Sequence, residues 1–519
     1  MKKAIAILLS MIIAFAVMPI VSAQEVNDSP VIYIIGKTAF YNHEGKSLPV
    51  TEGVDLMSLV EECIPYAAKA ILLGQWDEYA DKLKEVVYPL FDGFGMTPDL
   101  EVTGGFNTTW NKLDDKTDKQ NLARWEFKYD ARLSPLEVAD TLNTLIEQVK
   151  QQTGADKVNI ISRCVGTNYA MAYIYKYQMP IDYAGLDNVV FYDAAMNGLD
   201  TIEASFSGDI EVSREAAIAF LNQLDFDISD EEIDELLDRT ISMLTETYGV
   251  DVAGAFVEKF CDKIKDNFIK DFLMYTLAST PGFWSMCDEN YEKAKAYLFG
   301  GEGDTETWAK LIEVIDDYHY NVQEHNEDII YGMLDAGVDV NFVCKYYNYT
   351  YPVSGETSDY LSDMQISLYD QSFGATTSTI YTTLGSKYLK KAEENGTAKY
   401  ISADKQVDAS TCLFPDHTWF ISNYDHDSFH YKANSFLSYI LHTEDVDINS
   451  NPEYPQYFIF LDNGNTFAIQ TEENCNPNGV TLTDPDENSS GSSFFSRIKS
   501  FFNYLVYLIK FLMGKLSTK

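Results

Sequence analysis

Residues 162–166, SRCVG, combine a possible nucleophile with the small residues that a sharp turn requires. They follow an apolar, β-rich run at 156–161, and a helical pattern begins at Asn168. A strand that turns sharply into a helix lifts the central residue above the sheet, and the positions two before and two after it must be small. Ser162 and Gly166 satisfy this condition. The N-terminus of a helix favours the thiolate, so the pattern predicts covalent catalysis by Cys164, with Arg163 favouring the thiolate further if it points inward.

The elements that would position this turn alternate between strands and helices. Strands are predicted at 30–36, 124–129, 156–161 and 189–192, and helices at 55–73, 76–88, 136–151 and 168–177. Helical patterns fill 200–335, strands resume at 338–346 and 418–424, and a helix follows at 434–441. This alternation predicts an α/β fold whose mostly parallel sheet is covered by helices on both faces, with the all-helical insertion as a cap. A hairpin turn at 462–465 predicts a small C-terminal β-hairpin extension.

Residues 127–174 resemble the nucleophile half of the lipase branch of the α/β-hydrolase superfamily. More narrowly, they are similar to the lecithin–cholesterol acyltransferase and GPI-inositol-deacylase type. The shared features are a tyrosine–aspartate–aromatic–arginine turn, here YDAR at 129–132, then a helix, a KVNII strand and the G-x-S-x-G position. The resemblance implies an α/β-hydrolase fold and acyl chemistry. The chain departs from the pattern with Cys164 at the nucleophile position, Arg163 for the usual His or Gln, and Thr167 where many relatives have Gly.

The resemblance also implies positions for the catalytic base and acid. His426, in the loop after the predicted strand 418–424, holds the position of the family's histidine, with His430 as the reserve. His417 precedes that strand and would lie on the wrong side of the sheet. Asp363 resembles the S-D-G-x-V acid loop with its Gly lost, whereas Asp404 keeps the D-x-x-V spacing and lies nearer to His426. Either carboxylate would orient the imidazole and stabilise its charged form.

A hydrolase of this kind holds the oxyanion of its intermediate with two backbone N–H groups. One would come from Val165, directly after the nucleophile, and the other from Lys37, in the loop after Gly36. Relatives usually have an apolar residue at the position of Lys37. Its charge would either play no part or help to bind an anionic substrate.

The composition is that of an acidic globular protein. The 519 residues are 46% hydrophobic and 23% charged, which argues against wholesale disorder. A net charge of −42 repels phosphate backbones, so no nucleic-acid partner is expected. The seven cysteines are odd in number and far apart, and neither a CxxC pair nor a zinc-like His/Cys cluster occurs. We therefore expect no disulfide framework, no metal and no other cofactor.

The N-terminal residues have the pattern of a targeting signal. Lys2 and Lys3 precede an apolar run at 4–21, which ends in the small-x-small sequence VSA at 21–23. This predicts a secretory signal peptide of the bacterial general-secretion type, cleaved after Ala23. An uncleaved membrane anchor is the alternative.

The C-terminal residues 488–519 contain five basic and no acidic side chains, in contrast to the acidic body. Apolar residues recur at helical spacing in 492–516, but the longest uncharged run has ten residues, well short of the ~20 that a membrane span needs. We expect an amphipathic helix on an anionic membrane surface, attached by a flexible linker. A helix that docks on the body of the protein is the alternative.

The predicted organisation is a signal peptide at 1–23, a hydrolase core at 24–199 and 336–445, a helical cap at 200–335, a hairpin and linker at 446–487, and a basic tail at 488–519. We expect an exported acyl hydrolase or acyltransferase that acts on a lipid-like ester or thioester through Cys164, His426 and an aspartate. The alternative is a catalytically inactive relative that binds a lipid or another ligand at the cell surface. A secreted peptidase or amidase on the same scaffold is a third hypothesis.

Overall fold

The computed structural model describes residues 28–36, 40–51, 54, 56–106, 125–211, 263–347, 351, 354–426, 431–462 and 464–486. The predicted signal peptide and the predicted basic tail lie outside these ranges. So do residues 212–262 of the predicted cap.

An eight-stranded, mostly parallel sheet forms the centre of the described structure. Its strands are β1 (Val31–Ile34), β2 (Trp125–Phe127), β3 (Val158–Cys164), β4 (Leu186–Ala194), β5 (Asp339–Tyr346), β6 (Thr418–Ser422), β7 (Tyr457–Leu461) and β8 (Thr466–Ile469). Their order across the sheet is β8-β7-β6-β5-β4-β3-β1-β2, and each neighbouring pair is parallel except β7 and β8. Two ribbons of two-residue strands pair Phe40–Tyr41 with Gly105–Phe106 and Thr376–Thr377 with Val407–Asp408. The predicted α/β class is confirmed.

Helices flank this sheet. They are α1 (Leu56–Leu73), α2 (Trp76–Val87), α3 (Pro135–Thr153), α4 (Gly166–Tyr173), α5 (Asp200–Ser207), α6 (Lys270–Tyr275), α7 (Pro281–Trp284), α8 (Tyr291–Phe299), α9 (Asp304–Thr307), α10 (Ala309–Asn321), α11 (Asn326–Asp335), α12 (Leu368–Ser372), α13 (Ser386–Asn395) and α14 (Asn434–His442). Over the residues that the structure describes, none of these helices has the length and apolar character needed to cross a membrane.

The two faces of the sheet explain why the central strands are apolar throughout. On β3, Ile160 packs into the larger core and Ile161 into a smaller one on the opposite face. On β4, Val189 and Val190 divide in the same way. The smaller core is closed by α14, whereas α3 and α4 belong to the larger one. Because successive strand residues point to opposite faces, both must be apolar when both faces are covered.

Helix α3 shows how local signals fix an element's limits. It begins at Pro135 after Ser134 and ends at Thr153, and the left-handed φ of 75° at the following Gly154 lets the chain turn away. The side chains on its buried face recur at helical spacing: Val138, Leu142, Leu145, Ile146 and Val149.

The turn before α3 is a buried polar junction. Arg132 is fully buried and donates from Nη2 and Nε to the Asp130 carboxylate, at 2.7 and 2.9 Å. It also donates to the carbonyl oxygen of Gly93 at 3.1 Å. A buried pair of this kind is costly to break, because removing one partner leaves the other charge unpaired. Here it ties the chain before α3 to the segment that follows α2.

Some boundaries differ from the sequence-based expectation. The predicted strand at 156–161 extends through Cys164, and the helix after it begins at Gly166, then continues as a π-helical turn at Ile174–Gln178. Strands β7 and β8 are antiparallel, but β7 also pairs with β6, so both strands extend the edge of the central sheet. Backbone pairing with β6 explains this position, which strand patterning alone does not specify.

Candidate active site

Cys164 lies at the turn between β3 and α4. It is the last residue of β3, with a φ of 51°, and α4 begins at Gly166. A side chain in this left-handed region costs about 1–2 kcal/mol, which the surrounding packing must offset. Such strain is concentrated at functional sites, and here it places the sulfur at the carboxyl end of a central strand.

Two glycines allow the turn to approach its neighbours closely. A Cβ atom on Gly36 would lie 2.5 Å from the carbonyl oxygen of Arg163 and 2.6 Å from Cβ of Cys164. A Cβ atom on Gly166 would lie 2.7 Å from the carbonyl oxygen of Ile34. Neither contact is possible for a larger residue without moving backbone. The glycines therefore fix the turn against the end of β1.

Thr167 holds the turn from below. Its hydroxyl donates to the carbonyl oxygen of Cys164 at 2.6 Å and accepts from the backbone N–H of Ala195 at 3.1 Å. A glycine has no side chain to make either bond. The threonine thus connects the Cys164 turn to the end of β4.

His426 and Asp363 form a buried pair beside Cys164. His426 Nδ1 and Asp363 Oδ2 are 2.6 Å apart, and the backbone N–H of His426 donates to the carbonyl oxygen of Asp363 at 2.7 Å. His426 follows β6, while Asp363 lies in the segment after β5. Cys164 lies close enough to the imidazole to act on its pKa, as Asp363 does. The structure therefore brings Asp363, His426 and Cys164 together.

The electrostatics of these three residues favour a charged imidazole. Burial disfavours the imidazolium, but the negative partners Asp363 and Cys164 outweigh it and raise the pKa of His426 to about 10. Burial likewise opposes the charged form of Asp363, and His426 outweighs it, which lowers the pKa of this carboxyl. A protonated imidazole next to sulfur favours the thiolate. The arrangement can therefore hold a nucleophile and a proton donor together.

The loop of Asp363 orients its carboxylate. Oδ1 accepts from the backbone N–H groups of Gln365 at 3.0 Å and Ile366 at 2.8 Å, which leaves Oδ2 for His426. Met364 occupies the place of the lost glycine and has a φ of 91°, in the left-handed region that favours glycine. The loop keeps a glycine-like backbone without a glycine.

Asp404, the other candidate acid, is engaged elsewhere. It is buried and accepts from the hydroxyl of Tyr346 at 2.7 Å and from Nε2 of Gln470 at 2.9 Å. The structure therefore brings Asp363, and not Asp404, to His426. His417 lies at the opposite end of β6. His430 lies outside the described residues.

The structure describes only one of the two predicted oxyanion-hole residues. Val165 lies between Cys164 and the first residue of α4, and its carbonyl oxygen accepts from the N–H of Asn168 at 3.1 Å. Lys37 lies outside the described residues. The chain just before it is anchored by Tyr129, whose hydroxyl donates to the carbonyl oxygen of Ile35 at 2.8 Å.

A buried group of charges that we did not predict lies beside the pair. Asp193, at the end of β4, and Lys345, on β5, are fully buried, with Nζ of Lys345 2.9 Å from Oδ2 of Asp193. Nε of Arg163 lies 3.4 Å from the same oxygen. A signal for Asp193 and Lys345 was present, since each is a charged residue within a largely apolar stretch, VVFYDA at 189–194 and FVCKY at 342–346.

The donor set argues for hydrogen bonding over metal ligation. Asp193, Asp363 and His426 offer ligand atoms within 4.8 Å of one another, the one such group among the described residues. The ammonium of Lys345 lies against Asp193, however, and Nδ1 of His426 faces Asp363. These contacts use the atoms that a cation would need, and they place positive charge where the cation would sit.

The helical segment after residue 263 packs against α4. Asn168 donates from Nδ2 to the carbonyl oxygen of Ser285 at 2.7 Å, and the ring of Phe283 packs against Phe94 with centroids 5.9 Å apart. Trp284 is buried between Phe206 and Phe299, so it belongs to the core.

The arrangement as a whole offers a strained cysteine, a protonated histidine and an orienting aspartate at the carboxyl ends of neighbouring strands, the edge where parallel sheets place their sites. No family model, no curated protein and no solved structure matches this chain.

Proposed function

We propose that this protein is an acyl hydrolase or acyltransferase of the α/β-hydrolase kind, with Cys164 as nucleophile, His426 as acid and base, and Asp363 as the orienting carboxylate. The observation that carries the proposal is the hydrogen-bonded pair of Asp363 and His426 beside a sulfur on a strained strand-to-helix turn. The order of nucleophile, acid and histidine along the sequence is also that of α/β hydrolases. The resemblance of residues 127–174 to their lipase branch agrees with this assignment.

The proposed reaction proceeds through an acyl-enzyme. The thiolate of Cys164 attacks the carbonyl carbon of an ester or thioester, and the carbonyl electron pair moves to an oxyanion facing the N–H of Val165. Collapse of this intermediate expels the alkoxide or thiolate, which takes a proton from His426. His426 then removes a proton from water or another acceptor, whose attack breaks the thioester and regenerates the thiolate. Asp363 keeps the imidazole oriented throughout.

A lipid-like substrate is the class that the surroundings support best. The helices that pack near the turn present aromatic side chains, among them the half-buried Phe283. The predicted signal peptide and basic amphipathic tail support an exported protein held at an anionic membrane surface. Charge reversal at Lys499 and Lys510 should abolish co-sedimentation of the full chain with anionic vesicles, and unchanged co-sedimentation would argue against a role of the tail.

The direct test is intact-protein mass spectrometry after brief incubation with p-nitrophenyl esters of increasing chain length. We expect one acyl group, mapped to Cys164, that disappears with time as p-nitrophenol is released. The variant Cys164→Ala should acquire none. Cys475→Ala, which removes a partly exposed thiol outside this site, should behave like the wild type. An adduct on another residue would contradict the assignment of the nucleophile.

A ligand-binding protein without catalysis is the second candidate. The observation that favours it is the burial of Cys164, whose surface is only 9% exposed. No adduct and no p-nitrophenol release across the ester series, together with a raised melting temperature in the presence of the same esters, would support binding without turnover. Cleavage of peptides without ester or thioester turnover would instead favour the peptidase hypothesis.

A further inference from the structure

The backbone of His426 is hydrogen-bonded at both its N–H group and its carbonyl oxygen. Its N–H donates to the carbonyl oxygen of Asp363. Its own carbonyl oxygen accepts from two cations, the guanidinium Nη2 of Arg163 and the ammonium of Lys345, the latter at 3.1 Å. Lys345 also donates to the carbonyl oxygen of Asp425 at 2.7 Å. Two charged donors thus converge on the main chain of a single residue.

Asp193 joins these two cations from the other side. Its Oδ2 lies 2.9 Å from Nζ of Lys345 and 3.4 Å from Nε of Arg163. Both Asp193 and Lys345 are fully buried, and the Arg163 side chain is 14% exposed. Burying these charges costs several kcal/mol per ion, which their mutual contacts only partly offset. A purely structural role would be filled at lower cost by apolar residues.

We propose that Arg163, Asp193 and Lys345 form a cation clamp that positions His426 for proton transfer to and from Cys164. This inference rests on the proposed function. The three members come from three adjacent strands, since Arg163 is on β3, Asp193 on β4 and Lys345 on β5. Each strand ends at the same edge, where the loop of His426 crosses. The clamp therefore fixes the backbone of a loop residue, His426, to three strands of the sheet. Without the clamp, Asp363 alone would hold this residue.

Charge balance supports this assignment. The positive charges of Arg163 and Lys345 are matched by the negative charges of Asp193 and Asp363. The remaining pair, His426 and Cys164, is then neutral as a unit, whether its shared proton lies on nitrogen or on sulfur. The clamp can thus position the histidine without adding a net charge that would favour one protonation state of the pair. A residue that passes a proton back and forth needs both states to be accessible.

The clamp members are positioning residues, and Lys345 gives the sharpest test. Lys345→Met keeps most of the side-chain volume but removes the donor to His426 and leaves Asp193 less compensated. We expect the acylation rate of Cys164 at saturating p-nitrophenyl ester to fall at least tenfold, with less than a twofold change in the half-saturating ester concentration. Arg132→Met, which removes another fully buried cation whose hydrogen bonds go to Asp130 and Gly93, should lower the melting temperature but leave the acylation rate of the folded protein unchanged.

A double variant separates positioning from folding. Lys345→Met combined with Asp193→Asn removes both opposite charges, so we expect it to recover most of the melting temperature that Lys345→Met loses. The carbonyl oxygen of His426 still lacks the Lys345 donor, so the acylation rate should stay low. Recovery of both the melting temperature and the rate would overturn the proposal, because it would reduce Lys345 to a counter-charge.

A direct view of His426 keeps this test independent of turnover. Proton NMR of histidine-labelled protein should show a downfield Nδ1–H resonance that Asp363→Asn removes. We expect this resonance to be lost in Lys345→Met and retained in Arg132→Met. An unchanged resonance in Lys345→Met would contradict the clamp. If Lys345→Met loses the resonance but the wild-type protein acquires no acyl group, the proposed function is contradicted while the clamp is supported.

Discussion

At the scale of single residues, the pair of His426 and Cys164 determines whether this site can react. The pKa of His426 is raised to about 10, so its imidazole is protonated throughout the neutral range. A histidine whose pKa lies above its unfolded value of about 6.5 stabilises the folded state below that value and loses this contribution as the pH rises towards 10. The positive charge of the imidazolium beside the sulfur of Cys164 should therefore persist between pH 6 and 8.

Alkylation by iodoacetamide makes this visible. We expect the modification rate of Cys164 to change less than about threefold between pH 6 and 8, whereas an ordinary thiol gains more than about tenfold over this range. In His426→Gln the rate at pH 6 should fall at least about tenfold and become strongly pH-dependent. Cys475 is the internal reference, because burial raises the pKa of its thiol and its modification must rise steeply. A parallel rise at Cys164 and Cys475 would contradict the ion pair.

The choice of acid shows what a motif leaves undetermined at this scale. Asp363 and Asp404 both have an aspartate-loop pattern and lie on the same side of His426 in the sequence. Packing separates them, since Tyr346 and Gln470 bind Asp404 while the loop of Met364 turns Asp363 towards the imidazole. A positive φ at a non-glycine residue such as Met364 cannot be read from its identity, because side chains rarely adopt it.

At the scale of elements, the turn from β3 into α4 was predictable because its requirements are local. The small residues Ser162 and Gly166 and the apolar run before them are features of the sequence. The clamp was not predictable, because it joins Arg163 to a loop more than 260 positions away. Such contacts depend on the order of strands across the sheet, and no short pattern encodes that order. The sequence signal that was available is the presence of charged residues inside β4 and β5.

Thr167 offers a test of how this turn is held. Thr167→Val keeps the shape of the side chain but leaves the carbonyl oxygen of Cys164 and the N–H of Ala195 without their partner. We expect a loss of about 1–3 kcal/mol in the free energy of unfolding, measured by urea denaturation, because buried polar groups are costly to leave unpaired. Acylation of Cys164 should slow as well.

Thr167→Ser is the matched control, since it retains the hydroxyl and should lose less than about 1 kcal/mol through the missing methyl group. Equal losses in the two variants would show that the methyl group, and not the hydroxyl, stabilises the turn. The bridge between β3 and β4 would then have no role in holding Cys164.

At the scale of the whole molecule, excess negative charge reaches the interior as well as the surface. Burial, followed by the nearby carboxylates Glu203 and Glu289, raises the pKa of Asp200 to about 7. The same causes raise the pKa of Asp288 to about 7, with Glu324 adding to the effect. Glu203 itself accepts from the backbone N–H groups of Asp288 at 3.0 Å and Glu289 at 3.2 Å. These acids join α5 to the segment before α8.

This acid cluster predicts that the protein becomes more stable on mild acidification. Because the folded-state pKa values of Asp200 and Asp288 lie above the unfolded value of about 3.9, the folded state binds more protons between pH 4 and 7. The destabilisation is complete above pH 7 and is relieved as the pH falls. Asp288→Asn should therefore raise the free energy of unfolding at pH 8 by about 1 kcal/mol and flatten its dependence on pH. The exposed Glu313→Gln removes one charge without touching the cluster and should change neither quantity appreciably. If both variants raised stability equally, the general negative charge of the molecule would be the cause, and the buried carboxylates would have no special part in its response to acid.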